Sequence, residues 1–148
     1  ETMFYGQYTI QLDHDKALTF PEYFSEKLSG NVFITKGIDR NLVIMPENSF
    51  TELYQRVISL NMAEPSARLL LRLFLGNAIL SQLDGLQKMQ LSEHLYAYAE
   101  LSDESAAVLV GQGDHIEIWS QTYWEKQNVD LQDASINAHR FASLDLRF

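Results

Sequence analysis

Apolar and polar residues alternate in short runs along this chain, and the runs fall into two similar sets. Tyr8-Thr9-Ile10-Gln11-Leu12 alternates up to Asp13, and Val32-Phe33-Ile34-Thr35 and Leu42-Val43-Ile44-Met45 flank Gly37. Further on, Ala107-Val108-Leu109-Val110 and Ile116-Glu117-Ile118-Trp119 flank Gly111 and Gly113. Successive side chains of a strand face opposite sides, so these runs predict strands and two hairpins. Between the first strands and each hairpin the period lengthens. Pro21 fits the first turn of a short helix, Ser92 fits the N-cap of its counterpart, and Gly30 fits the close of the first. Gly37 or Gly113 supplies a hairpin turn.

Longer helical patterns follow. Ser49 and Glu52 have capping-box spacing ahead of Leu53, Val57, Ile58 and Leu60, and a matching helix is expected from Ser120 through Tyr123 and Trp124. Pro65 and Gly76 bracket a helix over 65–75 that is apolar on nearly every side except Arg68 and Arg72. Such a helix belongs deep in the fold or in a subunit interface, with its arginines in interface ion pairs rather than in a nucleic-acid stripe.

The two sets are copies. Asp13 and Asp84 lie 71 residues apart and Gly37 and Gly111 lie 74 apart, with similar residues at similar offsets between them. Each copy reads as strand, tight turn, strand, short helix, hairpin. The copies cover about 5–60 and 76–128, joined by helix 65–75 into one domain over 3–128. Residues 129–148 lose the repeat and read as a C-terminal helix or flexible tail. Half-units with open strand edges are not stable alone, so the two copies are expected to interleave. The fold class is α+β, a small β-barrel or sandwich of pseudo-two-fold symmetry with short helices packed around it.

Composition narrows the function. Of 148 residues, 46% are apolar, enough for one ordinary core. The net charge of −9 opposes nucleic-acid binding unless the cations are clustered or a partner supplies more. There is no cysteine, which removes disulfides, thiolate metal sites and cysteine nucleophiles. No P-loop, dinucleotide fingerprint or Ser-His-Asp arrangement occurs, so no catalytic residue, cofactor or enzyme activity is assigned. His115 and Glu117 lack a third ligand at metal-site spacing, so no metal is assigned and a solvent-facing pair is expected. Trp119, Trp124, Tyr123, Tyr96 and Tyr98 read as an aromatic cluster of core or interface. Nothing resembles a secretion signal or a bilayer span; Met3 is read as the native start, and a cytoplasmic, nucleoid-associated protein is expected.

Met3-Phe4-Tyr5-Gly6, the two Leu-Asp turns, Phe20-Pro21, Thr35-Lys36-Gly37-Ile38-Asp39 and Gly111 to Trp119 together resemble the MraZ family in order and register over residues 3–128. The resemblance implies a swapped-hairpin barrel of the AbrB type and a ring-shaped homo-oligomer. It also implies repression of the division and cell-wall gene cluster by binding promoter repeats in DNA. The family's DNA-reading loops carry Asp-x-x-x-Arg with an internal Lys and Gly. Here the loops are Asp13-His14-Asp15-Lys16-Ala17 and Asp84-Gly85-Leu86-Gln87-Lys88, so the arginine positions hold Ala17 and Lys88 and the first lysine position holds Asp15.

A bidentate arginine contact is worth about 1–3 kcal/mol of base discrimination; alanine offers none of it and lysine only a point charge. The candidate DNA-contacting residues are therefore Lys16, Lys88, His14 and Gln87, with Asp13 and Asp84 structuring the loops rather than forming a catalytic pair. The expected function is a DNA-binding transcriptional regulator with weakened binding. The alternative is a degenerate paralogue that oligomerises, acts through protein contacts and joins a standard family member in hetero-oligomers.

Overall fold

The computed structural model describes residues 3–146. The first copy contributes β1 (Gln7–Gln11), β2 (Ala17–Thr19), α1 (Glu22–Ser25), β3 (Val32–Lys36), β4 (Leu42–Pro46) and α2 (Glu47–Ile58). After α3 (Pro65–Phe74) the order repeats as β5 (Ile79–Ser81), β6 (Lys88–Gln90), α4 (Glu93–Tyr98), β7 (Ala106–Gly111), β8 (Ile116–Ser120) and α5 (Gln121–Leu131). A final helix, α6 (Ala134–Phe141), runs into a single 3-10 turn, Ala142–Leu144. The class is α+β with antiparallel pairing throughout.

The copies interleave. Six strands form one sheet in the order β1-β7-β8-β4-β3-β5, and β2 pairs with β6 in a separate ladder. Thus β1 of the first copy lies on β7 of the second, and β5 of the second lies on β3 of the first. A local two-fold passes where equivalent residues face each other, between Leu18 and Met89 and between Val43 and Glu117. Leu18 and Met89 are almost wholly buried, as are Phe24, Leu28, Ile44, Leu95, Leu109 and Ile118 around them. Each such side chain contributes roughly 1.5–3 kcal/mol by leaving water, so the shared core is what joins the copies.

Several local details differ from the sequence reading. Pro21 is the N-cap of α1 rather than its first helical residue, and its carbonyl accepts from Phe24 and Ser25. Helix α1 ends at Ser25, so Gly30, at φ +78°, turns the chain toward β3 instead of closing the helix. Helix α2 starts directly after β4 behind Pro46, which leaves Ser49 buried inside the helix and not at its cap. Of its expected apolar face Val57 is buried, but Ile58 is 45% exposed and Leu60 lies beyond the helix end.

Ser92 and Ser120 do cap α4 and α5, accepting from Leu95 and Tyr123. Lys36 pairs with Leu42 and Gly111 with Ile116, so Lys36, not Gly37, is the counterpart of Gly111 and the second hairpin loop is one residue shorter. Gly111 has its own reason: a Cβ there would lie 2.3 Å from the Tyr5 backbone nitrogen, where the N-terminal segment crosses to bridge Phe4 with Gly113.

The outer face of the sheet carries two aromatic seats. Phe33 and Phe50 stack with ring centroids 3.9 Å apart and Phe74 lies 5.6 Å from Phe50. On the other half Trp119 and Trp124, 5.6 Å apart, cover Val108 and Val110 with Tyr123 beside them. Tyr96 and Tyr98 pack against the main core instead, so the five aromatics do not form one cluster. Helix α3 is not deeply buried: Phe74 alone is, and Leu69 is 62% exposed. The helix is held by its C-terminal end, where the Thr35 hydroxyl donates to the Phe74 carbonyl. Within the chain Arg68 donates to the Met62 and Ala63 carbonyls and secures the α2–α3 connection. The segment read as a weak helix or tail is helical over α6, capped by Asp133, whose carboxyl accepts from Ser135 and Ile136.

Candidate nucleic-acid interface

The β1–β2 and β5–β6 turns are built alike. In the first, Asp13 Oδ1 accepts from the backbone of Asp15 at 2.9 Å and Ala17 at 3.0 Å. In the second, Asp84 Oδ1 accepts from Leu86 at 2.8 Å and Lys88 at 3.0 Å. Each Asp carbonyl also accepts from the residue three positions on, Lys16 or Gln87. These bonds use the turn chemistry expected of Asp, and they hold the Asp13 carboxyl below its ordinary pKa, chiefly through the Ala17 N–H.

The β2–β6 ladder sets the two turns side by side. Phe20 donates to the Gln87 carbonyl and Leu91 to the Lys16 carbonyl, both at 3.0 Å, a reciprocal pair related by the local two-fold. Lys16 and Gln87 therefore occupy equivalent places, and both are left-handed, at φ 62° and 59°. An L side chain strains there and glycine does not. Sequence reasoning missed this strain, because neither residue is a glycine and no local pattern marks the left-handed turn. It also missed Gln90, whose Nε2 donates to the Asp15 carbonyl at 3.0 Å and ties the first turn to the second copy's strand.

The charges do not follow the symmetry. Lys88 Nζ is 3.6 Å from Asp13 Oδ2, across the local axis. Ala17, the counterpart of Lys88, offers Asp84 nothing, and Asp84 has no ion pair among the described residues. His14 Nε2 lies 3.7 Å from Asp15 Oδ1, and Lys16 Nζ sits 5.6 Å from the Tyr96 ring centroid. Gln87 borders a shallow depression shared with Glu22 and Glu26. The structure thus brings Lys16, Lys88, His14 and Gln87 into one surface region around Asp13 and Asp84, with Asp13 beside Lys88, Asp15 beside His14 and Lys16 over the Tyr96 ring.

Other residues considered for chemistry lie elsewhere. His115 and Glu117 are half-buried rather than solvent-facing; His115 contacts Asp114, and Glu117 accepts from Trp119 Nε1 at 3.0 Å. No group of three or more His, Asp or Glu suited to a metal occurs among the described residues. No helix among them is long and apolar enough to cross a membrane.

Comparison with known proteins adds to this geometry. The family model described as "MraZ protein, putative antitoxin-like" matches twice, at residues 3–73 and 74–147. A transcriptional regulator MraZ of Roseiflexus castenholzii is 36% identical over 148 residues, 99% of this chain and 100% of that protein. One from Thermomicrobium roseum is 35% identical over 125 residues, 84% and 87% of the two chains. One from Corynebacterium kroppenstedtii is 30% identical over 143 residues, 97% and 99%.

Proposed function

This chain belongs to the MraZ family, and on that premise we propose that it is a DNA-binding transcriptional regulator whose grip on DNA is weak. The observation that carries the reading is the pair of like-built Asp turns set side by side by the β2–β6 ladder. Two adjacent turns of the same shape suit a repeated or symmetric DNA element. Lys16, Lys88, His14 and Gln87 are the contacting residues, and Asp13 and Asp84 hold the turns in shape. Binding is weak because Ala17 carries no charge, Lys88 is neutralised by Asp13, and Asp15 faces phosphate with the wrong sign.

The finer architecture in this reading is a swapped-hairpin barrel: one domain over 3–128, made of copies 5–60 and 76–128 joined through 65–75. The working form is a ring-shaped homo-oligomer on the nucleoid that represses the division and cell-wall gene cluster. A ring multiplies weak contacts, because each further turn that engages the same duplex binds at high effective concentration. The protein's role is regulatory and not enzymatic, as the names of its relatives suggest.

The Lys88–Asp13 pair also favours a second reading. A subunit whose Lys88 is held by Asp13 and whose Ala17 carries no charge can still assemble yet contribute little phosphate contact, so that mixed rings with a standard family member hold DNA less tightly. A salt titration on a labelled duplex with several G-rich repeats separates the two, comparing wild type with Lys88→Ala and with Ala17→Arg/Lys88→Arg. Salt-steep wild-type binding that is lost in Lys88→Ala supports the first. Binding only in the double arginine variant supports the second; no wild-type binding at low salt overturns the first, and rings that never exchange subunits with a standard family member overturn the second.

A further inference from the structure

A cavity of about 320 Å³ opens on the outer face of the sheet, between α2, α3 and the β3–β4 hairpin. Val43, Met45, Val57, Leu70 and Leu73 line it and Ile38 stands at it 76% exposed, while its polar rim mixes Lys36 and His115 with Asp39 and Glu117. At about 30 Å³ per molecule the space is worth roughly ten waters, held against walls that return few hydrogen bonds. A surface of this kind gains by being covered.

The internal repeat shows what is left over to cover it. Helix α3 ends the first family match and α6 falls near the end of the second. Helix α3 is seated on its own half, with Phe74 against Phe50 and its carbonyl bonded to Thr35. In the second half Trp124 stands at the position of Phe50 and Trp119 at that of Met45, and these larger rings already bury Val108 and Val110. Helix α6 is therefore displaced from the seat that symmetry would give it. None of its residues is buried, and Ile136 and Phe141, with Leu144 and Leu146 beyond them, are 42–65% exposed. Each chain thus carries one open groove, on its first half, and one unseated apolar segment, at the end of its second.

We propose that the groove receives α6 and the residues after it, up to Leu146, from a second copy of this chain. The proposal rests on the ring reading above and names its contact. Charge permits the contact: the segment carries Arg140 and Asp145, and the groove carries Lys36 beside Asp39 and Glu117, so each side offers both signs for pairing. For chains of net charge −9, which repel one another by default, a near-neutral apolar segment entering a mainly apolar groove is a docking mode that adds no further repulsion. Groove and segment are different patches, so the contact is heterologous. Such contacts propagate from copy to copy and close into rings, whereas a self-complementary patch stops at a dimer.

The chain has no cysteine, so introduced thiols are unambiguous. Ile38→Cys and Phe141→Cys both lie at exposed positions, where the fold tolerates them. With a short bismaleimide, the double variant should give a covalent ladder, and an equal mixture of the two single variants should give a cross-linked dimer. A cross-linked monomer from the double variant, with no dimer from the mixture, would mean that each tail fills its own groove and would overturn the proposal. Absence of any cross-link while wild type still assembles by light scattering would overturn it too, leaving the ring reading intact. A wild-type mass of 17.0 kDa would remove the ring reading and this proposal together. As a second line, Leu70→Glu should reduce the assembly to smaller species with unchanged circular dichroism; an unchanged mass counts against the groove.

Discussion

The ammonium of Lys88 is held 3.6 Å from the carboxylate of Asp13, so the cation of one turn is paired with the acid that shapes the other. The pair is part-exposed and worth little to stability. Its larger effect is on what the surface offers a polyanion.

Asp13→Asn keeps an oxygen for the Asp15 and Ala17 N–H groups and releases Lys88. DNA binding should tighten, and the slope of log K against log salt should steepen by about 0.9 per released lysine that reaches a phosphate. Lys88→Ala placed on top should cancel the gain. Fluorescence anisotropy at several salt concentrations measures both.

Lys16→Gly and Gln87→Gly should each stabilise the fold. Left-handed backbone costs an L residue roughly 1–2 kcal/mol, and glycine returns part of that gain through greater freedom when unfolded. A net increase of about 0.5–1 kcal/mol per site is expected from urea melts, with an unchanged m-value.

Leu18→Ala and Met89→Ala should each cost about 2–5 kcal/mol, because both side chains sit on the local axis with almost no exposure. Facing one another, they share one cavity, so the double variant should fall short of the sum of the singles.

Tyr23 should ionise late. Desolvation, then its neighbour Tyr5, pushes its pKa up to about 12, and its hydroxyl donates to the Met3 carbonyl at 2.8 Å. A raised folded value means that the native state favours the neutral phenol. Its contribution is therefore complete below the unfolded value near 10 and is lost as pH rises through about 12. Tyr23→Phe should flatten the alkaline fall in stability between those limits.

Much of this was legible in the residues. The strand order within each copy, the caps at Ser92 and Ser120 and the bracketing of α3 by Pro65 and Gly76 all follow from local patterns, because they depend on neighbours a few positions away. The burial of α3 was not legible. Its leucines look core-like, yet only tertiary placement decides that Phe74 alone is enclosed. The turn residues could be located by register with the repeat, but the Lys88–Asp13 pairing could not. It depends on a ladder between strands far apart in sequence, and on Ala17 breaking the symmetry that would otherwise predict a matching contact.

The pairing of β1 with β7 also constrains how the molecule is made. Tyr8 has no strand partner until Leu109 has been synthesised, and Ile34 meets Ile79 only midway. During translation the first half waits with an open edge, so the ladder completes late and nearly at once. Folding of so non-local a topology is slow, and the waiting edge is the region a nascent-chain chaperone would shield.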